Sequence, residues 1–169
     1  NYQKIKQIIL ALEQRVHLSQ MPIAIKDSKI NITSEKSIKE LAQKFVENLK
    51  GGEFIFLKGE IGVGKTTFVK YFINEYQILS NLPKTEITSP TFSLLNEYQV
   101  KDVRIKHYDL FRVKNKEEIK NLDIFEKDTN VITFVEWPQL IKDKQNIKFI
   151  EMTFNYLNDL NDRIVEIKV

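Results

Sequence analysis

Residues 54–68, FIFLKGEIGVGKTTF, leave this chain few folds to choose from: four apolar residues run into a glycine-rich loop and then into helix-compatible sequence. The run FIFL reads as a buried strand. Gly59, Gly64, Lys65 and Thr66 satisfy the pattern GxxxxGKT, and GKTTFVKYFINEY continues as an amphipathic helix, which is the strand, loop and helix context that the pattern requires. The glycines permit backbone conformations closed to other residues, so successive N–H groups can turn inward around phosphate oxygens. The helix start adds its positive end. Lys65 can reach the β and γ phosphates, and the Thr66 hydroxyl can ligate magnesium. The alternative is a glycine turn with no chemistry. With glycine at about 7% of residues, a chance match arises about once per hundred chains of this length, and the flanking elements lower that further. Gly59, Glu60, Ile61, Gly62, Val63, Gly64, Lys65, Thr66 and Thr67 are therefore expected to cradle a nucleotide.

The rest of the chain alternates between helix and strand signals. Up to residue 20, Ile5, Ile8, Ile9, Leu12 and Val16 recur at helical spacing, and MPIAIKDS follows as a turn and linker. The amphipathic start has no small-residue cleavage site and does not read as a secretory signal. KINIT alternates like a short strand. A capped helix then starts at Thr33 or Ser34, carries Ile38, Leu41, Phe45, Val46 and Leu49 on one face, and stops at Gly51. SLLNEYQ and VRIKHYDLF form an expected hairpin that turns near Lys101 and Asp102. NKEEIKNLDIFEKD offers one or two short helices. VITFVEW is the expected central strand and ends at Pro138. NIKFIEMTFNY and RIVEIKV, separated by LNDLND, make an antiparallel C-terminal strand pair. This pattern predicts a three-layer α/β domain of the P-loop NTPase type over residues 28–169, with a mixed, mainly parallel central sheet. A helical extension and linker would occupy residues 1–27.

Composition narrows the chemistry. A chain of 169 residues suits one domain. Having no cysteine, it carries no disulfide framework or thiolate metal site, and two histidines leave almost no room for a histidine-based zinc site. No apolar stretch approaches the roughly 18 residues of a membrane span, so no membrane partner is expected and the cytoplasm is the expected compartment. The formal net charge is +3, and only Arg15, Arg104, Arg112 and Arg163 are arginines. The lysines are spread among acids, as on a solvated surface, and not clustered as on a nucleic-acid-binding one.

A phosphate loop needs an acid at the end of a neighbouring strand to hold the metal and its waters. Two positions qualify. Glu136 closes VITFVE, behind Val131, Ile132, Phe134 and Val135, and Asp109 closes VRIKHYD. Glu136 is expected at the magnesium, with Asp109 facing the same pocket from the adjacent strand and orienting water or the magnesium shell. His107 shares a strand face with Asp109 and is left without a role. Trp137, the only tryptophan, either packs under the turn at Pro138 or places its indole beside the nucleotide or at a docking surface. In ITSPTF, Thr88, Ser89 and Thr91 surround a rigid proline and could touch the γ phosphate and relax after its cleavage; common turn chemistry is the other reading.

In this order and at these separations, GEIGVGKTTFVKYF, TSPTFSLLNEY, HYDLFRV and VEWPQL resemble the bacterial tRNA threonylcarbamoyladenosine biosynthesis ATPase family, TsaE, from about Ile30 to the end. The resemblance implies an ATPase, binding ATP or ADP with Mg2+, that assists addition of a threonylcarbamoyl group (t6A) to the adenosine beside the anticodon of ANN-decoding tRNAs. Transfer would be made by a separate transferase, TsaD, paired with TsaB, and hydrolysis would reset that pair between turnovers. tRNA would be the substrate of the complex, without direct contact to this chain being required. On the same resemblance Lys65 would hold phosphate, Thr66 and Glu136 would hold magnesium, and Asp109 would be needed for hydrolysis. Ser89, Pro90, Thr91 and Phe92 would form a switch-like loop, Trp137 would lie near the nucleotide, and Ser37 or Thr33 would contact the nucleotide from a helix start.

Two other readings remain. A small-molecule kinase on this fold would bring several arginines to the transferring phosphate, whereas only Arg112 lies near the pocket strands. A non-hydrolysing adaptor would bind nucleotide with the same residues and use it only to order a docking surface. A GTPase is not supported: NKEE at Asn115 has Glu118 where guanine reading needs aspartate, and no clear buried strand precedes it.

Overall fold

The computed structural model of the chain describes residues 2–7, 29–141, 147–157 and 160–169. Seven strands form one sheet in these residues: β1 (Lys29–Asn31), β2 (Phe54–Lys58), β3 (Leu95–Val100), β4 (Val103–Asp109), β5 (Val131–Glu136), β6 (Phe149–Tyr156) and β7 (Arg163–Lys168). Their spatial order is β1-β7-β6-β2-β5-β4-β3. The four central strands run parallel, with β2 flanked by β5 and β6 and with β4 beside β5. The pairs β3–β4, β6–β7 and β1–β7 are antiparallel. The sheet is therefore mixed, with a parallel centre and both the hairpin and the C-terminal pair where the sequence predicts them.

Strand β2 opens on a continuous apolar run, and β5 is apolar up to its closing acid except for the buried Thr133, because both faces of each strand are covered. One face carries α1 (Glu35–Asn48) and α2 (Lys65–Leu79), whose Leu41, Phe45, Phe68 and Phe72 meet Ile55, Leu57, Phe134 and Met152 of the strands in the larger core. Phe68 sits edge-on to Phe45, and Phe72 edge-on to Phe134. The opposite face is covered more thinly. There Phe56, Tyr108 and Val135 pack under Leu110, Val113, Ile124 and Ile141, from connecting segments whose described residues hold only the short α3 (Lys116–Lys120) and a single 3-10 turn (Pro138–Leu140). The third layer is thus mostly loop, pinned where Tyr108 Oη donates to the Leu122 carbonyl and Lys106 Nζ meets Glu126 Oε2 at 2.5 Å.

Local signals explain the ends of the elements. Ser34 caps α1, its Oγ accepting from the Ser37 N–H at 3.0 Å. The helix ends at Asn48, before the glycine stop that the sequence suggests, and Gly51 serves the turn that follows. Gly51 has φ of +118°, and a Cβ there would lie 2.1 Å from the Thr129 carbonyl oxygen. Gly51→Ala should therefore cost about 2–3 kcal/mol, from a left-handed conformation plus a backbone clash. A urea unfolding midpoint equal to that of the wild type would contradict this. Asn115, the asparagine of NKEE, caps α3 by accepting from the Glu118 N–H at 3.0 Å, so its side chain is engaged in helix capping and not in reading a base.

Of the expected N-terminal helix, residues 2–7 are described and helical. Ile5 is buried in the larger core and Tyr2 Oη donates to the Lys148 carbonyl at 2.8 Å. Ile8, Ile9, Leu12 and Val16, and the linker after them, lie outside the described residues.

Candidate functional site

The parallel register brings the two acids together. Asp109 pairs with Glu136 across β4 and β5, and Leu57 pairs with Glu136 across β5 and β2, so both carboxylates stand at strand C-terminal ends beside the loop that leaves β2. That is where open α/β sheets place ligands. Gly59, with φ of +135°, begins the loop; a Cβ there would meet the Phe154 carbonyl oxygen at 2.4 Å. Gly64, with φ of +116°, is the N-cap of α2 and accepts the Phe68 N–H, aiming the helix start into the space before the acids. The loop backbone closes on β6 at Gly59 only because that position lacks a side chain.

A cavity of about 290 Å³ occupies that space, lined by Gly62, Gly64, Lys65, Thr66, Asp109 and Glu136 along with Ile61, Thr67, Ser89, Thr91, Phe111 and Trp137. Lys65 is buried, and its Nζ donates to the carbonyls of Gly59 at 2.9 Å and Glu60 at 2.8 Å. An ammonium has three donors, so these bonds hold the side chain along the loop and leave a further one for a ligand. The Trp137 ring covers the same ammonium at 4.2 Å, and Phe111 packs against Trp137. Burial lowers the Lys65 pKa, while the charges of Glu136 and Asp109 oppose that shift and favour the cation. The result is a desolvated positive charge with unspent attraction for anions.

The acids are held by hydroxyls. Thr66 Oγ1 donates to Glu136 Oε1 at 2.7 Å, which places a hydroxyl and a carboxylate oxygen side by side at the helix start. Asp109 Oδ2 accepts from Thr91 Oγ1 at 2.6 Å and from Ser89 Oγ at 3.4 Å, and its Oδ1 accepts the Phe111 N–H at 3.0 Å. The 88–92 loop is thereby tied to Asp109. Its Phe92 ring is 82% exposed, with the Arg112 guanidinium stacked on it at 4.2 Å.

Of the loop residues, Gly59 and Glu60 act through their carbonyls on Lys65, while Val63 is fully buried and anchors the loop in the core. Thr33 lines a second cavity of about 320 Å³, with Ser34, Glu35, Tyr71 and Arg163, and this cavity shares Gly64 and Thr67 with the first. Ser37 is not on that wall; its N–H and hydroxyl both bond Ser34 Oγ. Sequence reasoning gave no role to Tyr71, hydrogen-bonded to Glu35, or to Arg163, stacked on Tyr156. No local motif marks them, since they come from elements far apart in the chain, α2 and β7. None of the arginines among the described residues lines the first cavity.

The donor set suits a hard cation with few protein ligands. Among the described residues no three His, Cys, Asp or Glu side chains converge as a metal cage. Magnesium does not ask for one: it usually keeps waters and phosphate oxygens and takes one or two protein ligands. The Thr66 hydroxyl and the Glu136 carboxylate supply that number of oxygens beside a cradle for phosphate. Among the described residues no helix is long and apolar enough to cross a membrane.

Comparison with known proteins finds relatives of this chain. The family model for "Threonylcarbamoyl adenosine biosynthesis protein TsaE" matches residues 32–164. Similar proteins carry the name tRNA threonylcarbamoyladenosine biosynthesis protein TsaE. The one from Rickettsia typhi is 36% identical over 137 residues, covering 81% of this chain and 92% of its own. The one from Aquifex aeolicus is 34% identical over 124 residues, covering 73% and 86%. In fold, the crystal structure of Bacillus subtilis YdiB superposes with a TM-score of 0.63 at 22% identity, covering 88% of this chain and 89% of that one.

Proposed function

Because this chain belongs to the TsaE family, the proteins of threonylcarbamoyl adenosine biosynthesis, we propose that it binds and hydrolyses Mg-ATP and that this hydrolysis serves threonylcarbamoylation of tRNA. One observation carries the reading: a buried lysine, a threonine hydroxyl and two strand-end carboxylates converge on one cavity at the mouth of a glycine loop. Loop N–H groups and the Lys65 ammonium would hold the β and γ phosphates. Thr66 and Glu136 would hold magnesium, which when bound neutralises phosphate charge and orients the leaving group. Asp109, buried at the same cavity, would orient the attacking water and take its proton. The nucleoside would lie along the second cavity, with Thr33, Ser34, Tyr71 and Arg163 around it.

The loop at 88–92 offers a link between chemistry and partners. Thr91 and Ser89 bond Asp109 directly, while Phe92 faces solvent. A shift of that loop on loss of the γ phosphate would change both the carboxylate and the outer surface. Resetting of a TsaD- and TsaB-like transferase pair between turnovers is the role we assign to that coupling. Among the described residues no arginine lines the cavity, where a kinase would need several.

The test is reconstitution of tRNA threonylcarbamoylation with and without this chain, read by mass spectrometry of the tRNA nucleosides together with phosphate release. Multiple turnovers that require the chain, with phosphate released, are expected. Equal multiple-turnover modification in its absence would overturn the proposal, and modification that requires the chain without phosphate release would leave the non-hydrolysing adaptor.

A further inference from the structure

We propose that His107 is a positioning residue for Glu136, holding one carboxylate oxygen so that the other is presented to magnesium; this rests on the magnesium-nucleotide reading of the site. His107 lies on β4 two residues before Asp109, and its partner across β5 is Phe134, two residues before Glu136. In parallel register these four side chains share a face, so the imidazole lies directly beneath the carboxylates. It is fully buried, and its Nε2 is 2.9 Å from Glu136 Oε1.

The same oxygen, Oε1, also accepts the Thr66 hydroxyl at 2.7 Å. A carboxylate held at one oxygen by two donors from different elements cannot rotate without giving up one of them. Among the described residues no hydrogen bond is made to Oε2, and Glu136 lines the cavity. An ionised carboxylate only accepts, so Nε2 carries the hydrogen and donates. Nδ1 has no hydrogen-bond partner among the described residues and is buried.

Burial alone does not call for an imidazole here. The neighbours on this face, Ile105 and Phe134, are apolar, and an apolar residue at 107 would fill the space without orphaning a nitrogen. The polar group is explained by what its other nitrogen does. Partners that orient a metal-holding carboxylate typically change metal affinity about 10–100-fold when removed.

The experiment titrates the purified full chain with a non-hydrolysable ATP analogue, first in EDTA and then with increasing magnesium chloride, following Trp137 fluorescence. Wild type is compared with His107→Leu and His107→Gln, whose amide N–H can reach the place of Nε2. Metal-free nucleotide affinity should agree among all three within about threefold, which also reports that each is folded. Half-saturating magnesium should rise about 10–100-fold in His107→Leu and return to within about threefold of wild type in His107→Gln. A wild-type magnesium response in His107→Leu would overturn this inference and leave the site reading intact. Equal impairment of the Leu and Gln variants would overturn the donor role. Should the Leu variant not fold, a folded His107→Gln with a weakened magnesium response overturns it too. No magnesium dependence in the wild type would overturn both the inference and the reading beneath it.

Discussion

Replacing Lys65 by alanine is expected to weaken Mg-ATP binding at least about 100-fold, the largest effect of any single substitution in this chain. The ammonium is buried beneath Trp137 and fixed by the Gly59 and Glu60 carbonyls, so it arrives at the phosphates already desolvated and oriented. Charge-assisted hydrogen bonds contribute about 1.5–3 kcal/mol each, and a lysine bridging two phosphates offers more than one. A loss of about 3 kcal/mol or more corresponds to that factor in Kd. Calorimetric titration checks it, with circular dichroism as the folding control. A Kd within threefold of wild type would place the phosphates elsewhere.

Asp109→Asn should separate chemistry from binding. The carboxylate makes one hydrogen bond from the Phe111 N–H and others from the hydroxyls of Thr91 and Ser89. Asparagine can accept from Phe111 through its oxygen and turn its NH2 toward the hydroxyls, which can accept as well as donate. The loop is therefore kept while the charge and the proton acceptor are lost. General-base catalysis contributes about 10²–10⁴-fold, so ATP turnover in the presence of the partner complex should fall by that factor, with nucleotide affinity changed less than about threefold. Full turnover in the variant would remove Asp109 from the chemistry and leave it a fastening for the 88–92 loop.

What could be read in advance follows from the range over which each feature is determined. The phosphate loop is legible because three glycines, a lysine and a threonine within eight residues encode both the backbone and its chemistry. Strand β5 is legible because burial on both faces leaves an apolar run broken only by Thr133, and the acid that ends it stands out. Long-range closure is another matter. Thr33 Oγ1 accepts the N–H of Arg163, 130 residues away, and nothing near either residue announces that meeting. His107 is similar: its strand face was readable, but its bond to Glu136, 29 residues on, depends on the β4–β5 register. The helix ends after Asn48 and not at Gly51, because a glycine signals a positive φ without saying whether the helix or the following turn uses it.

A crystal structure with magnesium and a non-hydrolysable ATP analogue tests the central claim most directly. The triphosphate tail should be enclosed by residues 59–66, with a phosphate oxygen within hydrogen-bond reach of Lys65 Nζ and the metal between Thr66 Oγ1 and the Glu136 carboxylate. A tail bound away from that loop, or a metal ligated without Glu136, would contradict it.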